Sequence, residues 1–131
     1  MKEITITTPN EIGSLAAVAE ALGGVGVNIE AISAYGKDGK AVFRLLTNDV
    51  ASANKVLSRI PNVELSESDI LILKMQNRPG ELGKITRKLA NQNINLDSLY
   101  IVGKENTEYT DVAIKPILSD FEKAKDVLRI K

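Results

Sequence analysis

Residues 78–85 read RPGELGKI, and residues 8–15 read TPNEIGSL. At an offset of 70, Pro9 meets Pro79, Glu11 meets Glu81 and Gly13 meets Gly83, with Ile12 on Leu82 and Leu15 on Ile85. Further on, VNIEAI (27–32) resembles INLDSL (94–99) at an offset of 67. At an offset of 71, Ala53, Val56 and Leu57 match Ala124, Val127 and Leu128. Three nearly equal offsets in chain order indicate a duplicated unit of roughly 65–70 residues. The units are read as 1–67 and 68–131, and the change of offset predicts three extra residues in the first helix of the first unit.

Each unit reads the same way outward from its Pro-containing turn. A short apolar strand comes first, around Ile4 and Ile6, then again from Ile70 to Met75. A helix follows, with Ile12, Leu15, Val18 and Leu22 as its apolar stripe in the first unit and Leu82, Ile85 and Leu89 in the second. Strands are expected at 27–35 and 94–102, then hairpin turns at GKDGK (36–40) and GKENT (103–107), then return strands at 41–47 and 108–115. Val50, Ala53, Leu57 and Ile60 predict the next helix, and PNVEL (61–65) a last strand. In the second unit Ser119 with Glu122 reads as a capping box before Phe121, Ala124 and Leu128. The order is βαββαβ twice, an α+β ferredoxin-like plan of antiparallel sheets with helices on one face; the second unit lacks a full last strand. In the usual strand order of that plan, 4-1-3-2, the apolar strand 70–75 becomes a sheet edge. An edge of this kind calls for a cover, from the strand at 62–66, another first-unit strand or a second subunit.

Composition removes several chemistries. The 17 basic and 17 acidic residues cancel, so no basic surplus points to nucleic acid. Only five aromatics are present and no RNA-binding signature appears, although the RNA-recognition fold shares this plan. There is no His and no Cys, which removes the commonest general base, the thiol nucleophile and the soft-metal ligands. No catalytic residue, metal or cofactor is expected. MKEITITTPN lacks the apolar core of a signal peptide, and no apolar run is long enough to cross a bilayer; a cytoplasmic protein is expected. Gly13 and Gly83 read as close approaches of helix to sheet, and GGVGV (23–27) as a helix C-cap.

With those exclusions in place, NRPGELGKITRKLANQNINLDSLY (77–100) resembles the signature of ACT domains, the amino-acid-sensing βαββαβ modules. The resemblance is strong in the second unit and degenerate in the first, and together they imply a free-standing tandem ACT protein. It implies a small amino acid held where modules meet, against the loop after strand 1 and the start of strand 2. By position this selects Asn77, Arg78, Gly80, Glu81, Leu82 and Asn95 in the second unit, and Thr7, Asn10 and Asn28 in the first. Thr7 would replace the loop amide, and Asn10 the turn glycine. The chemistry is apt. A carboxamide both donates and accepts, and N–H groups at a helix start favour a carboxylate. One departure is Met75, where some amino-acid-binding modules of the family carry a His.

The function expected is a non-enzymatic regulatory protein. It would bind a small amino acid, act as a homodimer and signal by a change of conformation or assembly. The alternative is an interaction or regulatory subunit of an amino-acid biosynthetic enzyme, with a vestigial pocket. Neither reading involves nucleic acid or a membrane.

Overall fold

The computed structural model describes residues 2–103 and 107–130. The chain divides into two compact units, Met1–Asp69 and Ile70–Lys131. The first runs β1 (Lys2–Pro9), α1 (Ser14–Gly24), β2 (Ala31–Lys37), β3 (Lys40–Thr47), α2 (Val50–Leu57) and β4 (Glu64–Asp69). Its sheet is antiparallel with order β2-β3-β1-β4. Alternation sets the inner face: Ile4 and Ile6 of β1 and Phe43 and Leu45 of β3 are buried with Val18 and Leu22 of α1 and Ala53 and Leu57 of α2. Asp38 and Gly39 take φ of 53° and 77°, the pair of left-handed residues that a two-residue hairpin turn requires between β2 and β3.

The second unit runs β5 (Leu71–Gln76), α3 (Glu81–Asn91), β6 (Leu96–Val102), β7 (Tyr109–Pro116), a 3₁₀ turn (Leu118–Asp120) and α4 (Phe121–Val127). Its sheet order is β5-β7-β6. Leu71, Met75, Val112 and Ile114 form the sheet side of a core closed by Leu89, Ala124 and Leu128. The fold is α+β, two antiparallel ferredoxin-like sheets with helices on one face, as the repeat implies. The expected turn at 103–107 falls partly on residues 104–106, outside the described residues.

Several local expectations are corrected. The two first helices are equal, 11 residues each, so there is no three-residue insertion. Ile12 lies before α1 and is fully exposed, and Leu15 is 42% exposed; only Val18 and Leu22 of the expected stripe are buried. The second strands begin at Ala31 and Leu96, because the residues before them close the helices. Gly26 N–H donates to Gly23 O and Val27 N–H to Leu22 O; in the second unit Asn93 N–H donates to Ala90 O and Ile94 N–H to Leu89 O. Gly26 and Asn93 are left-handed, at φ 73° and 56°, so both helices end in a Schellman motif. No capping box forms at Ser119: Asp120, the last residue of the 3₁₀ turn, holds the N-cap position of α4, without a side-chain cap. The expected last strand lies a few residues on, at β4, and pairs with β1. Among the described residues of its own unit β5 has β7 on one side and no strand on the other.

Candidate functional site

The corner between β5 and α3 is built by the backbone. β5 ends at Gln76 opposite Tyr109, and Asn77 extends it by donating its N–H to Glu108 O at 2.8 Å. The Asn77 amide donates from Nδ2 to Thr107 O at 3.1 Å, which leaves its Oδ1 with no partner among the described residues. Gly80 then turns the chain at φ +87° and caps α3, its carbonyl accepting from Lys84 N–H at 3.2 Å. A Cβ at Gly80 would meet nothing within 4 Å, so the glycine is there for its left-handed backbone and not for space. No side chain caps this helix start, so the N–H groups of Leu82 and Gly83 lack an intrahelical acceptor.

Arg78 and Glu81 are engaged with each other. Arg78 Nε donates to Glu81 Oε1 at 2.8 Å and Lys84 Nζ donates to the same oxygen at 3.1 Å. The Arg78 hydrogen bond first, and the Lys84 one second, hold the Glu81 carboxyl below its ordinary range. Leu82 is partly buried against the second core, and Met75 lies inside it.

Asn95 sits at the opposite end of the sheet. Its N–H donates to Asp120 Oδ2 at 3.0 Å, its carbonyl accepts from Ile117 N–H at 3.0 Å, and its Oδ1 accepts from Leu96 N–H at 2.9 Å. These bonds pin the start of β6 and leave Nδ2 available. β5 and β6 are each antiparallel to β7 and hence parallel to one another. Asn77 therefore lies beside the Tyr109 end of β7 and Asn95 beside the Pro116 end, about 25 Å apart for an eight-residue strand. The two carboxamides of one unit do not converge on one small ligand.

The first unit repeats this corner at a single offset of 67. Gly13 caps α1 at φ +90°, in the place of Gly80. Asn10 N–H donates to Gly39 O at 3.0 Å, in the place of Asn77, and Asn28 precedes β2 as Asn95 precedes β6. This corrects the expected equivalences. Asn10 holds the amide position, Gly13 is the turn glycine, and Thr7 is a strand residue between Val42 and Glu64. Nor do Gly13 and Gly83 mark close packing, since a Cβ at either meets nothing within 4 Å. Ser14 ties the loop, its Oγ accepting from Glu11 N–H at 3.2 Å and donating to Pro9 O at 3.0 Å. Gly36 leaves room for the Asn10 amide, whose Nδ2 would lie 2.9 Å from a Cβ there.

Beside this corner a cleft of about 370 Å³ opens between the loop and the β2–β3 hairpin, lined by Asn10, Glu11, Leu15, Ala34, Ala41 and Phe43 among others. Glu11, Leu15, Ala34 and Phe43 were not among the candidate residues. Aligning the repeats on the second strands, at an offset of 67, would have placed Asn10 and Gly13 correctly. Nothing local in the sequence announces Ala34 or Phe43, which the sheet brings to the corner.

The ACT domain family model matches residues 70–130. No curated protein matches the sequence. Among solved structures the chain is similar to a protein from Bacteroides thetaiotaomicron, 24% identical, over 98% of this chain and 85% of that one, with a TM-score of 0.85. It is also similar to the ligand-free regulatory subunit of aspartate kinase from Thermus thermophilus, 18% identical over 98% of this chain and 87% of that one, TM-score 0.70. The regulatory subunit of aspartate kinase from Thermus flavus is 17% identical over 98% and 92%, TM-score 0.63. At these identities the structural likenesses establish the fold.

Proposed function

We propose, from the premise that residues 70–130 are an ACT domain, that the chain is a non-enzymatic regulatory protein that binds a small amino acid where ACT modules meet. Binding changes conformation or assembly, and a partner reads the change. The observation that carries this reading is the corner built twice: a left-handed glycine at an uncapped helix start, with an asparagine amide three residues before it. An α-carboxylate is favoured at such a helix start, and a carboxamide offers both donor and acceptor to a zwitterion. Because Asn77 and Asn95 stand at opposite ends of β7, a ligand that uses both takes one from each of two modules. A cytoplasmic homodimer supplies them, with no cofactor, nucleic acid or membrane involved. No helix among the described residues is long and apolar enough to cross a membrane. Saturation at a hundredfold over Kd contributes about 2.7 kcal/mol, enough to shift a regulatory equilibrium.

Calorimetric titration with serine, the branched-chain amino acids, aspartate, phenylalanine and methionine tests the reading. It is run on the full chain and on Asn77→Ala and Asn95→Ala. One amino acid is expected to bind, and each variant to weaken it at least about tenfold, the scale of a lost hydrogen bond to a charged group. Unchanged affinity in both variants removes the assigned site.

A second reading is that of an interaction subunit of an amino-acid biosynthetic enzyme, with a vestigial pocket. Two observations favour it: Met75 is buried in the core, and Arg78 and Glu81 are already paired. The solved structures named as regulatory subunits of aspartate kinase suggest the kind of partner. Co-purification of such an enzyme, with no amino acid shifting Tm, selects this reading.

A further inference from the structure

We infer that the cleft of the first unit is a second amino-acid site of the sensor, the counterpart of the Asn77 corner, and selects an amino acid with an aliphatic side chain. The inference rests on the amino-acid-binding reading and names its ligand class. Leu15, Ala34, Ala41 and Phe43 line the apolar part of the cleft. Leu15 is 42% exposed there and Phe43 is almost wholly buried beneath. Exposure of Leu15 is unexplained by packing, because the core stripe of α1 is carried by Val18 and Leu22. At about 370 Å³ the cleft is near the small end of ligand sites.

The same lining holds polar groups. The N–H groups of Leu15 and Ala16 open an uncapped helix and suit the α-carboxylate. The Asn10 amide, lodged over Gly36, shares the lining with them. Glu11 is the carboxylate in the lining; it has no ion-pair partner among the described residues and suits the α-ammonium. No Lys or Arg lines the cleft, so an acidic side chain finds no counter-charge. A basic side chain would lay a second cation on apolar wall, which costs desolvation without a partner. An aliphatic side chain is the one the wall complements.

Thermal shift and calorimetry on the full chain test this with leucine, isoleucine, valine and methionine against lysine, aspartate and serine. N-acetyl-leucine and leucinamide serve as blocked probes. Expected are binding of an aliphatic amino acid and at least tenfold weaker binding of both blocked forms. Ala34→Phe, on an edge strand, fills the cleft and should weaken binding tenfold or more. Glu11→Gln, an exposed loop change that spares the fold, should do the same. An amino acid that binds and is lost in Asn77→Ala, but is untouched by both first-unit variants, overturns the cleft assignment and leaves the sensor reading standing. Preference for lysine or aspartate overturns the ligand class. No binding by any amino acid brings down the sensor reading itself.

Discussion

Glycine does different work at adjacent places in this chain. Gly13 and Gly80 hold φ of +90° and +87° in open surroundings, so an added Cβ is penalised by the backbone and not by a neighbour. Gly80→Ala is expected to lose about 1–2 kcal/mol in urea denaturation. Gly83→Ala, inside α3 with nothing near the new methyl, should gain about 0.5–1 kcal/mol because alanine loses less backbone entropy in a helix. Opposite signs for the two changes are the test; a loss at Gly83 would restore the close-packing role that its position in the repeat suggests. The asparagines show the same dependence on place. Asn93 tolerates a left-handed C-cap, while Asn77 and Asn10 extend a strand edge through their backbone N–H and keep part of their amide free.

Among the elements, helix starts depend on what precedes them. Asp49 accepts from Ser52 N–H at 3.1 Å and caps α2, whereas the Ser119–Glu122 pattern caps nothing, because a 3₁₀ turn precedes α4. Asp49→Ala is expected to lower Tm by a few degrees and Ser119→Ala to leave it unmoved. The hydrogen bond from the Ser52 backbone holds the Asp49 carboxyl below its ordinary value of 3.8. A depressed folded value means that the cap is fully present above 3.8 and fades as pH falls through the lower folded value. The difference in Tm between the parent chain and Asp49→Ala should therefore shrink in acid; a difference that persists there would assign the effect to something other than the charged cap. The Schellman closure of α1 was readable from GGVGV (23–27), whereas that of α3 at Asn93 was not expected. Nor was the exposed Leu15, because apolar spacing alone cannot say which flank of a helix meets a sheet.

For the molecule as a whole, strand order governs what a site can be. β7 lies between β5 and β6, so the amide after the first strand and the amide before the second are held at opposite ends of the sheet. A homodimer that joins them across its interface makes a distinctive expectation. Chains carrying Asn77→Ala and chains carrying Asn95→Ala bind poorly alone. Mixed and allowed to exchange, they form heterodimers in which one of two sites has both asparagines. Calorimetry should then recover about half the binding capacity in the heterodimer. No recovery after verified exchange would rule out a site shared between chains.

The duplication, the βαββαβ order, the hairpin at 36–40 and the turn glycine before α3 follow from the sequence alone. Each is a local matter of apolar period or of backbone freedom, and a window of a few residues carries the physics. The ACT resemblance was readable in the second unit for the same reason. Two things required the folded chain: the distance between the two carboxamides of a unit, and the apolar wall of the first-unit cleft. Both arise from pairing between strands far apart in sequence. Hydrogen bonds to a non-neighbouring strand decide which residues face one another, and no local pattern specifies that pairing.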